Sequence, residues 1–396
     1  MALRRNRFGA LDIGSQSITF LLGERVGSQF DLIGHAQVPS VGVSKGRVED
    51  TKALSAVLQN LFTDVSKHFE TLPRDLTLSQ SGTHLQSTSF EMLLPFPEFR
   101  HRIERDDLDR LHRLIAEKEL PPEVVSLHIS PQFYTINGAR VDRPIGYEAN
   151  QLTAHCNLLF GKAQPILDQL HAVNQFGFSV NHLVFSATAS ALAVTLPVER
   201  ENGVCVIDIG AQMTDYVVYK RQTVITAGIL PVGGLNFTRD LCSGLRILNE
   251  DAERLKCEYG IPNLNPETPE EIWVVGDRSI GDKAVKTKNL YTVLRARAQE
   301  LFGYVSKCIG DEEELLSGVV LTGGGALLKN IEKVAAETFC CDCCVRGSVA
   351  PVDEALKSPM YATCLGLFQY TLKPDPTAPK TTETSMWKRV CDWLKG

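Results

Sequence analysis

Three apolar stretches, each followed by a polar or glycine-rich turn, stand out in the pattern of hydrophobic and polar positions along this chain. Phe8–Gly23 and Val204–Tyr219 share one order: an apolar strand, the triplet Asp-Ile-Gly, a polar turn and a second apolar strand. Both are rich in β-branched and aromatic residues, which favour strands. Val319–Ala326 joins a third apolar strand to a glycine turn. Because the two similar stretches lie far apart, the pattern predicts a duplicated α/β domain and not a short-period repeat.

The two Asp-Ile-Gly hairpins have the chemistry of a phosphate site. Backbone N–H groups in such turns hold phosphate oxygens. The carboxylates of Asp12 and Asp208 suit Mg²⁺, which is usually held through water because it dehydrates reluctantly. A single Asp-x-Gly is also common in tight β-turns, so the repetition carries the argument. No residue of the sequence stands out as a general base.

The remaining periodicity predicts helices and a small inserted unit. Apolar residues at helical spacing predict helices at Leu54–Val65, Asn289–Ile309 and Leu327–Thr338. Between Gly82 and Lys162, predicted strands such as Arg140–Tyr147 surround one charged helix. This stretch therefore predicts a small α+β subdomain set into a larger α/β frame.

The C-terminal residues have a pattern of their own. Residues 373–384 contain three prolines and no large apolar side chain, which predicts a semi-extended linker. At about 100° per residue, the apolar side chains of 385–396 share one helix face; they are Met386, Trp387, Val390, Cys391, Trp393 and Leu394. So short a helix is marginal alone in water, and the pattern predicts that a membrane interface orders it. A helix docked on the protein body is the alternative.

Composition narrows the classes of protein. With 396 residues, two or three domains are expected, and a net charge of -6 argues against a general nucleic-acid binder. We expect no secretory signal before the first strand, and no apolar run approaches the ~20 residues that span a bilayer. Eleven irregularly spaced cysteines predict reduced cytoplasmic thiols. The Cys340–Cys344 cluster lacks the CxxC spacing of zinc sites, so small strand residues are the preferred interpretation.

The two hairpins and the TGGGA turn of Thr322–Ala326 resemble the actin/Hsp70/sugar-kinase ATPase superfamily, and within it the FtsA family of bacterial cell-division proteins. Four further stretches resemble that family: PVGG at Pro231–Gly234, AERLKCEYG at Ala252–Gly260, PMYATCLGL at Pro359–Leu367, and Met386–Leu394. The resemblance implies a two-lobed actin-like (ribonuclease H-like) α/β ATPase fold, with a small α+β inserted subdomain and a C-terminal amphipathic helix.

The resemblance also implies a division into subdomains. The first-lobe large subdomain would comprise 1–81, completed by 163–198 and 351–372, with the insert at 82–162. The second-lobe large subdomain would comprise 199–238 and 310–350, and the second-lobe small subdomain 239–309. Residues 373–384 would be a flexible linker, and 385–396 a membrane-targeting helix.

Roles for individual residues follow from the same resemblance, which implies ATP and Mg²⁺ as cofactors and no further metal. Phosphate and Mg²⁺ contacts are expected at Asp12, Gly14, Ser15, Ser17, Asp208, Gly210, Ala211, Gln212, Thr214 and Asp215. The PVGG turn would contribute Gly233 and Gly234. Adenosine contacts are expected at Glu253, Lys256, Gly323, Gly324, Gly325 and Ala326.

The second hairpin departs from the family's usual DIGGGTTD, because Ala211 and Gln212 stand where two glycines are common. If those positions need a positive φ or close phosphate approach, the replacements carry a cost. We therefore expect that ATP binds with Mg²⁺ and that hydrolysis is slow or absent.

The implied function is that of an actin-like ATP-binding protein that polymerises and tethers the FtsZ ring to the cytoplasmic membrane. Expected partners are the FtsZ C-terminal peptide, other copies of the chain, the membrane surface and later cell-division proteins. Arg295, Arg297 and Glu300 match the family's peptide site, although a solvated helix face is an equal interpretation. The expected location is the cytoplasmic face of the inner membrane at the division site. Another actin-fold machine, such as a pilus-assembly relative, or a small-molecule kinase remain alternatives.

Overall fold

A computed structural model describes residues 6–26, 29–69, 72–97, 100–263, 270–274, 281–310 and 315–372. These residues form twenty strands and ten α-helices. The strands are β1 (Asn6–Ile13), β2 (Ser17–Val26), β3 (Gln29–Pro39), β4 (Val43–Ser44), β5 (Arg47–Val48), β6 (Asp75–Gln80), β7 (Leu85–Pro95), β8 (His101–Arg102), β9 (Val124–Ile136), β10 (Ala139–Val141), β11 (Glu148–Ala149), β12 (Gln151–Lys162), β13 (Ser179–Phe185), β14 (Val204–Ile209), β15 (Thr214–Lys220), β16 (Thr223–Leu230), β17 (Glu271–Val274), β18 (Lys283–Lys286), β19 (Val319–Thr322) and β20 (Cys343–Val345). The helices are α1 (Thr51–His68), α2 (Arg105–Ala116), α3 (Ala163–Asn174), α4 (Ser186–Val194), α5 (Pro197–Asn202), α6 (Gly234–Leu245), α7 (Asn249–Tyr259), α8 (Thr287–Ile309), α9 (Ile331–Phe339) and α10 (Ala362–Leu372).

Two five-stranded sheets of the same topology form the centres of two lobes. Their strand orders are β13-β6-β1-β2-β3 and β20-β19-β14-β15-β16. In each sheet, three consecutive antiparallel strands are extended by two parallel strands beside the first of the three. The Asp-Ile-Gly hairpins join β1 to β2 and β14 to β15, so they occupy equivalent places. The predicted duplicated α/β frame is confirmed.

Helix α4 lies between the two lobes and packs against strands of both sheets and against α10. Most residues of α4 are small and buried, and most side chains of α10 are buried as well. The contact is close enough that a Cβ added at Gly366 would lie 1.7 Å from the carbonyl oxygen of Ala189. The small residues of α4 therefore allow α4 and α10 to pack closely between the two lobes.

The insert forms a separate four-stranded sheet, β10-β9-β12-β7, with α2 on one face and its own apolar core. It also contacts the second lobe at β16, the edge strand of that sheet. The hydroxyl of Ser130 donates to the carbonyl of Val224 at 3.1 Å, and the amide of Gln132 donates to the carbonyl of Ile225. The insert also packs against β13 and α3 of the first lobe, so it contacts both lobes.

Two predicted elements are wrong in extent. The strand expected at Arg140–Tyr147 is limited to β10, and Pro144, which has no N–H to donate to a ladder, lies in the following loop. The helix expected from Leu327 begins only at Ile331, because Asn330 adopts a left-handed backbone with φ 65° after a short 3₁₀ turn at Gly324–Leu327.

The described residues contain no group of three His, Cys, Asp or Glu side chains placed to hold a metal ion. No helix in the same ranges is long and apolar enough to cross a membrane. The predicted linker at 373–384 and the predicted amphipathic helix at 385–396 lie outside the described residues.

Candidate functional site

The two hairpin turns face a cleft of about 780 Å³ between the lobes, a volume typical of ligand sites. Most of the predicted site residues line it: Asp12, Gly14, Ser15, Ser17, Asp208, Gly210, Ala211, Gln212, Asp215, Gly234, Glu253, Lys256, Gly323, Gly324 and Gly325. Thr214, Gly233 and Ala326 are not part of this lining. The structure thus brings segments from five places in the chain to one cavity.

Both turns are closed by one backbone hydrogen bond of the same kind. Gly14 N–H donates to the carbonyl of Ser17 at 3.0 Å, and Gly210 N–H donates to the carbonyl of Met213 at 2.8 Å. Neither Ala211 nor Gln212 has a positive φ. The second turn therefore forms without glycine at these positions. Ala211 and Gln212 do not have the positive φ that would strain a residue with a side chain.

The PVGG turn supports the second hairpin from behind. The N–H groups of Gly234 and Leu235 donate to the carbonyls of Gly210 and Ala211 at 2.9 and 2.8 Å. A Cβ added at Gly233 would lie 2.6 Å from the Gly210 carbonyl oxygen. Gly233 thus permits this close approach.

Thr214 also has a structural place. Its side chain is fully buried, and its hydroxyl donates to the carbonyl of Val232 at 2.7 Å. The hydroxyl that was expected at a phosphate or Mg²⁺ instead ties β15 to the residue before the PVGG glycines.

Two carboxylates, one from each hairpin, are held in the cleft by hydroxyl groups. Asp12 accepts a hydrogen bond from Ser79 at 2.6 Å. Asp208 accepts hydrogen bonds from Ser190 and, at 2.8 Å, from Thr363. Burial raises the pKa of Asp12 to about 6, with the Ser79 hydrogen bond opposing the rise and the Asp208 charge adding to it. Burial also raises the pKa of Asp208, against the two hydroxyls.

Asp215 adds a third carboxylate at the same end of the cleft. Burial raises its pKa well above the ordinary value; the nearby Ser81 hydroxyl opposes this rise, and the charges of Asp208 and Asp12 add to it. The Ser81 contact falls outside hydrogen-bond geometry, so Asp215 Oδ1 and Ser81 Oγ have no hydrogen-bond partner among the described residues.

The charge of Asp208 raises the pKa of Asp12, and both charges raise the pKa of Asp215, so these three carboxylates form a place where a cation is favoured. Carboxylate oxygens are ligands that Mg²⁺ prefers, and Mg²⁺ usually keeps several of its waters when it binds them. The residues present therefore fit a hydrated Mg²⁺.

The other end of the cleft combines a polar group with an apolar wall. Lys256 Nζ donates to Glu253 at 2.7 Å, to Thr238 at 2.9 Å and to the carbonyl of Gly234 at 3.2 Å. Burial alone would raise the pKa of Glu253, but the hydrogen bonds from Lys256 and Thr238 and the Lys256 charge lower it. Apolar side chains complete this end: Phe237, Leu327, Leu328 and Met360. The cleft thus has an acidic end and a partly apolar end.

Several residues of the cleft were missed from the sequence. Ser79, Ser190 and Thr363 hold the carboxylates, and Leu327 and Met360 form part of the rim. The available signal was a hydroxyl residue in a segment of small residues, but α4 holds three of them, Ser186, Thr188 and Ser190, so the pattern did not single out Ser190. The apolar rim residues had no such signal, because exposed apolar residues are common on any protein surface.

The predicted peptide-binding residues lie on α8, apart from the cleft lining, and all three form ion pairs. Arg295 pairs with Glu337 of α9. Arg297 pairs with Asp240 of α6, with Nη2 and Oδ1 at 3.0 Å, and with Glu300. This surface is an ion-paired helix face, and its role in binding a peptide stays a prediction. The predicted membrane residues Met386, Trp387, Val390, Trp393 and Leu394 lie outside the described residues.

Solved structures with the same fold cover nearly the whole chain. A PilM–PilN type IV pilus biogenesis complex matches 92% of this chain and 98% of its own, with a TM-score of 0.63 and 18% identity. MreB5 of Spiroplasma citri bound to AMPPNP matches 93% and 97%, with a TM-score of 0.56 and 14% identity. A MamK double helical filament matches 93% and 100%, with a TM-score of 0.53 and 11% identity. At such identities these likenesses show the actin-like fold alone.

Sequence comparisons give the family. A model described as "Cell division protein FtsA" matches residues 205–366, and one described as "SHS2 domain inserted in FTSA" matches 82–160. The cell division protein FtsA of Neisseria meningitidis is 26% identical over 98% of this chain and 96% of its own length. Those of Escherichia coli K12 and Bacillus subtilis are 24% and 23% identical, over 97% and 92% of this chain and 95% and 83% of their own lengths. With both family models and relatives spanning almost its full length, this chain belongs to the FtsA family of cell-division proteins.

Proposed function

We propose that this chain binds ATP with Mg²⁺ in the interlobe cleft, polymerises, and tethers the FtsZ ring to the cytoplasmic face of the inner membrane. The observation that carries the proposal is the meeting of three carboxylates and two backbone turns in one cleft of an FtsA-family chain. Neighbours of the same fold were solved with ADP and AMPPNP, which supports a nucleotide in this cleft.

Each end of the cleft has a place in this proposal. The N–H groups of the Gly14 and Gly210 turns face the phosphates, and Asp12, Asp208 and Asp215 hold the water shell of Mg²⁺. When bound, Mg²⁺ neutralises phosphate charge. Lys256 and Glu253 hold the ribose, and the apolar rim holds the base.

We propose that hydrolysis is slow or absent. Phosphoryl transfer depends on positioned polar groups around the terminal phosphate and the attacking water. The side chains of Ala211 and Met213, in the second turn, offer no hydrogen-bonding oxygen or nitrogen. Measured turnover comparable to that of a housekeeping ATPase, abolished by Asp208→Ala, would contradict this part of the proposal.

Attachment to the membrane is assigned to residues 385–396, and polymerisation would make it effective. One short amphipathic helix binds weakly, whereas each further subunit of a polymer attaches at high effective concentration. A filament solved for MamK, which has the same fold, supports self-association. Attachment should therefore depend on assembly, and assembly on ATP.

The first experiment is sedimentation with anionic liposomes, using the full chain and a form truncated after Leu372, with and without Mg-ATP. Binding that needs residues 373–396 and strengthens with ATP is the expected result. Equal or absent binding of the two forms would remove the tethering function and leave the fold in place.

A second experiment addresses the FtsZ peptide. Fluorescence anisotropy with a labelled FtsZ C-terminal peptide should show weaker binding to Arg295→Ala and Arg297→Ala than to the wild type. The matched control is Arg254→Ala, because Arg254 also forms ion pairs on an exposed helix face, with Asp251 and Glu258 of α7. Unchanged binding in both α8 variants would show that this helix face is only solvated.

A further inference from the structure

The side-chain amide of Gln212 crosses the cleft from one lobe to the other. Its Oε1 accepts hydrogen bonds from the hydroxyl of Ser44 at 3.0 Å and from the backbone N–H of Lys45 at 2.7 Å. Gln212 lies in the second-lobe phosphate turn, whereas Ser44 and Lys45 lie in the first lobe, 168 and 167 residues away. One amide thus joins the two lobes at the end of the cleft where phosphate is expected.

The two donors belong to a hairpin tip that is fixed within the first lobe. Lys45 and Gly46 form the turn between β4 and β5, with φ of 48° and 73°. A Cβ added at Gly46 would lie 1.8 Å from the carbonyl oxygen of Ser81, so the tip lies directly on the residue after β6. The buried amide of Gln169 also donates to the Gly46 carbonyl at 2.9 Å. These contacts present Ser44 and Lys45 as a rigid pair of donors.

The acceptor is equally well fixed, because the Gly234 and Leu235 hydrogen bonds hold the backbone of its turn. The first turn offers an internal comparison, since Gln16 has the same position after Gly14 that Gln212 has after Gly210. Among the hydrogen bonds of the described residues, the Gln16 side chain makes none across the cleft. Both turns have the sequence Gly-x-Gln, but only the glutamine of the second turn, Gln212, forms a bridge between the lobes among the described residues.

We propose that Gln212 is a positioning residue that holds the two lobes together across the cleft. Its carbonyl oxygen satisfies two first-lobe donors that otherwise need water or a ligand oxygen. A pair of ordinary hydrogen bonds favours, by about tenfold, the arrangement in which the two lobes are bridged. Closure then depends less on the bound nucleotide, and nucleotide release is slower, because the bridge must open first. The effect on release rests on the proposed function; the bridge itself does not.

Backbone amide exchange tests the bridge directly, since the Lys45 N–H is one of its donors. Hydrogen–deuterium exchange of the peptide covering residues 41–48 is measured by mass spectrometry in the nucleotide-free full chain. We expect exchange about tenfold faster in Gln212→Ala and a smaller increase in Ser44→Ala, which removes one donor outside the phosphate turn. Gln16→Ala is the matched control and should leave this peptide as in the wild type.

A conservative variant separates the bridge from a general structural role. Gln212→Glu keeps an acceptor oxygen at the same place, so it should restore protection of 41–48 while its added negative charge weakens ATP binding. Equal exchange of 41–48 in the wild type, Gln212→Ala and Ser44→Ala would overturn the proposal. If Gln212→Ala does not fold, judged by circular dichroism, Ser44→Ala alone decides in the same way.

The release of a fluorescent ADP analogue gives the second readout, with about tenfold faster release expected from Gln212→Ala. If the wild type binds no nucleotide, the proposed function fails, but the exchange result for the nucleotide-free chain still decides whether the bridge exists. If it binds nucleotide and 41–48 is unprotected, the bridge fails and the proposed function stands.

Discussion

The two Asp-Ile-Gly turns have similar backbones but different side chains. The first has hydroxyl groups at Ser15 and Ser17, whereas the second has Ala211 and Met213 at the matching positions. The second is more firmly supported, because two backbone N–H groups donate to it, whereas the first receives one, from Ser40 to the carbonyl of Gln16.

The carboxylate of the second hairpin is also held by more hydrogen bonds than the carboxylate of the first. Asp12 has one hydroxyl donor, Ser79, and Asp208 has two, Ser190 and Thr363. The first turn thus offers side-chain donors to a ligand, while the second offers a rigid carboxylate and a bridge to the other lobe. Duplicated hairpins can keep one fold while each lobe specialises in one part of the site.

The largest expected effect concerns the two carboxylates. Asp208→Asn keeps the side-chain shape but removes the charge that two hydroxyls orient toward the cleft. Mg-ATP affinity should fall about 100-fold, and in Asp12→Asn about tenfold, because charged hydrogen bonds are worth about 1.5–3 kcal/mol. Isothermal titration calorimetry with and without Mg²⁺ measures both, with Asp31→Asn, an exposed carboxylate on β3, as the control. Equal losses at the two positions would contradict the difference between the hairpins.

The next effect concerns the backing of the second turn. The backbone of Gly233 is extended, with φ −157°, so alanine is permitted there by backbone conformation. Its Cβ would nevertheless press on Gly210 and Ala211, and overpacking of this kind costs about 1–3 kcal/mol of the free energy of unfolding. Urea unfolding of Gly233→Ala measures that loss.

The control for this variant is Gly303→Ala in α8, where an added Cβ meets nothing within 4 Å. Alanine is the better helix former, so this change should stabilise the protein by about 0.5–1 kcal/mol. An unchanged free energy of unfolding in Gly233→Ala would show that the close contact with Gly210 and Ala211 does not limit the residue at position 233.

A pH series sharpens the comparison of the carboxylates. The pKa of Asp12 is raised from 3.8 to about 6, so the folded chain holds this proton more tightly than the unfolded chain. Its stabilising contribution is fully present below pH 3.8 and is lost as the pH rises through about 6. The free energy of unfolding of the wild type, relative to Asp12→Asn, should therefore fall over this range without nucleotide.

Mg²⁺ binding should have the opposite dependence, because the ion prefers the ionised carboxylate. Mg-ATP affinity should rise as the pH passes through about 6, and Asp12→Asn should flatten the curve. Parallel curves for the wild type and the variant, in stability and in affinity, would exclude Asp12 as the titrating group.

The smallest effect concerns the hydroxyls of the turns. Ala211→Ser gives the second turn the hydroxyl that Ser15 gives the first, and one more donor should raise ATP affinity about two- to fivefold. Ser15→Ala should lower it by a similar factor. Titration of a fluorescent ATP analogue measures both; if neither changes the affinity, the phosphates are held by backbone N–H groups alone.

The parts of the site that the sequence predicts are local in the chain. A strand, a tight turn and a carboxylate occur within a few residues, so Asp12 and Asp208 could be placed from the pattern alone. Their supports could not, since Thr363 is 155 residues from Asp208 and Ser44 is 168 residues from Gln212. The end of the strand predicted at Arg140–Tyr147 and the start of α9 were misplaced because Pro144 and Asn330 impose local backbone geometry that hydrophobic periodicity does not contain.

The contact between the insert and β16 has a consequence for solubility and for protein engineering. An uncovered edge strand invites strand addition and aggregation. Here the side chains of Ser130 and Gln132 donate hydrogen bonds to the backbone carbonyls of Val224 and Ile225. Within the described ranges, the insert and the second lobe do not form one continuous sheet. Trimming residues 82–162 to obtain a minimal two-lobed protein would therefore leave the β16 edge uncovered and should favour edge-to-edge association.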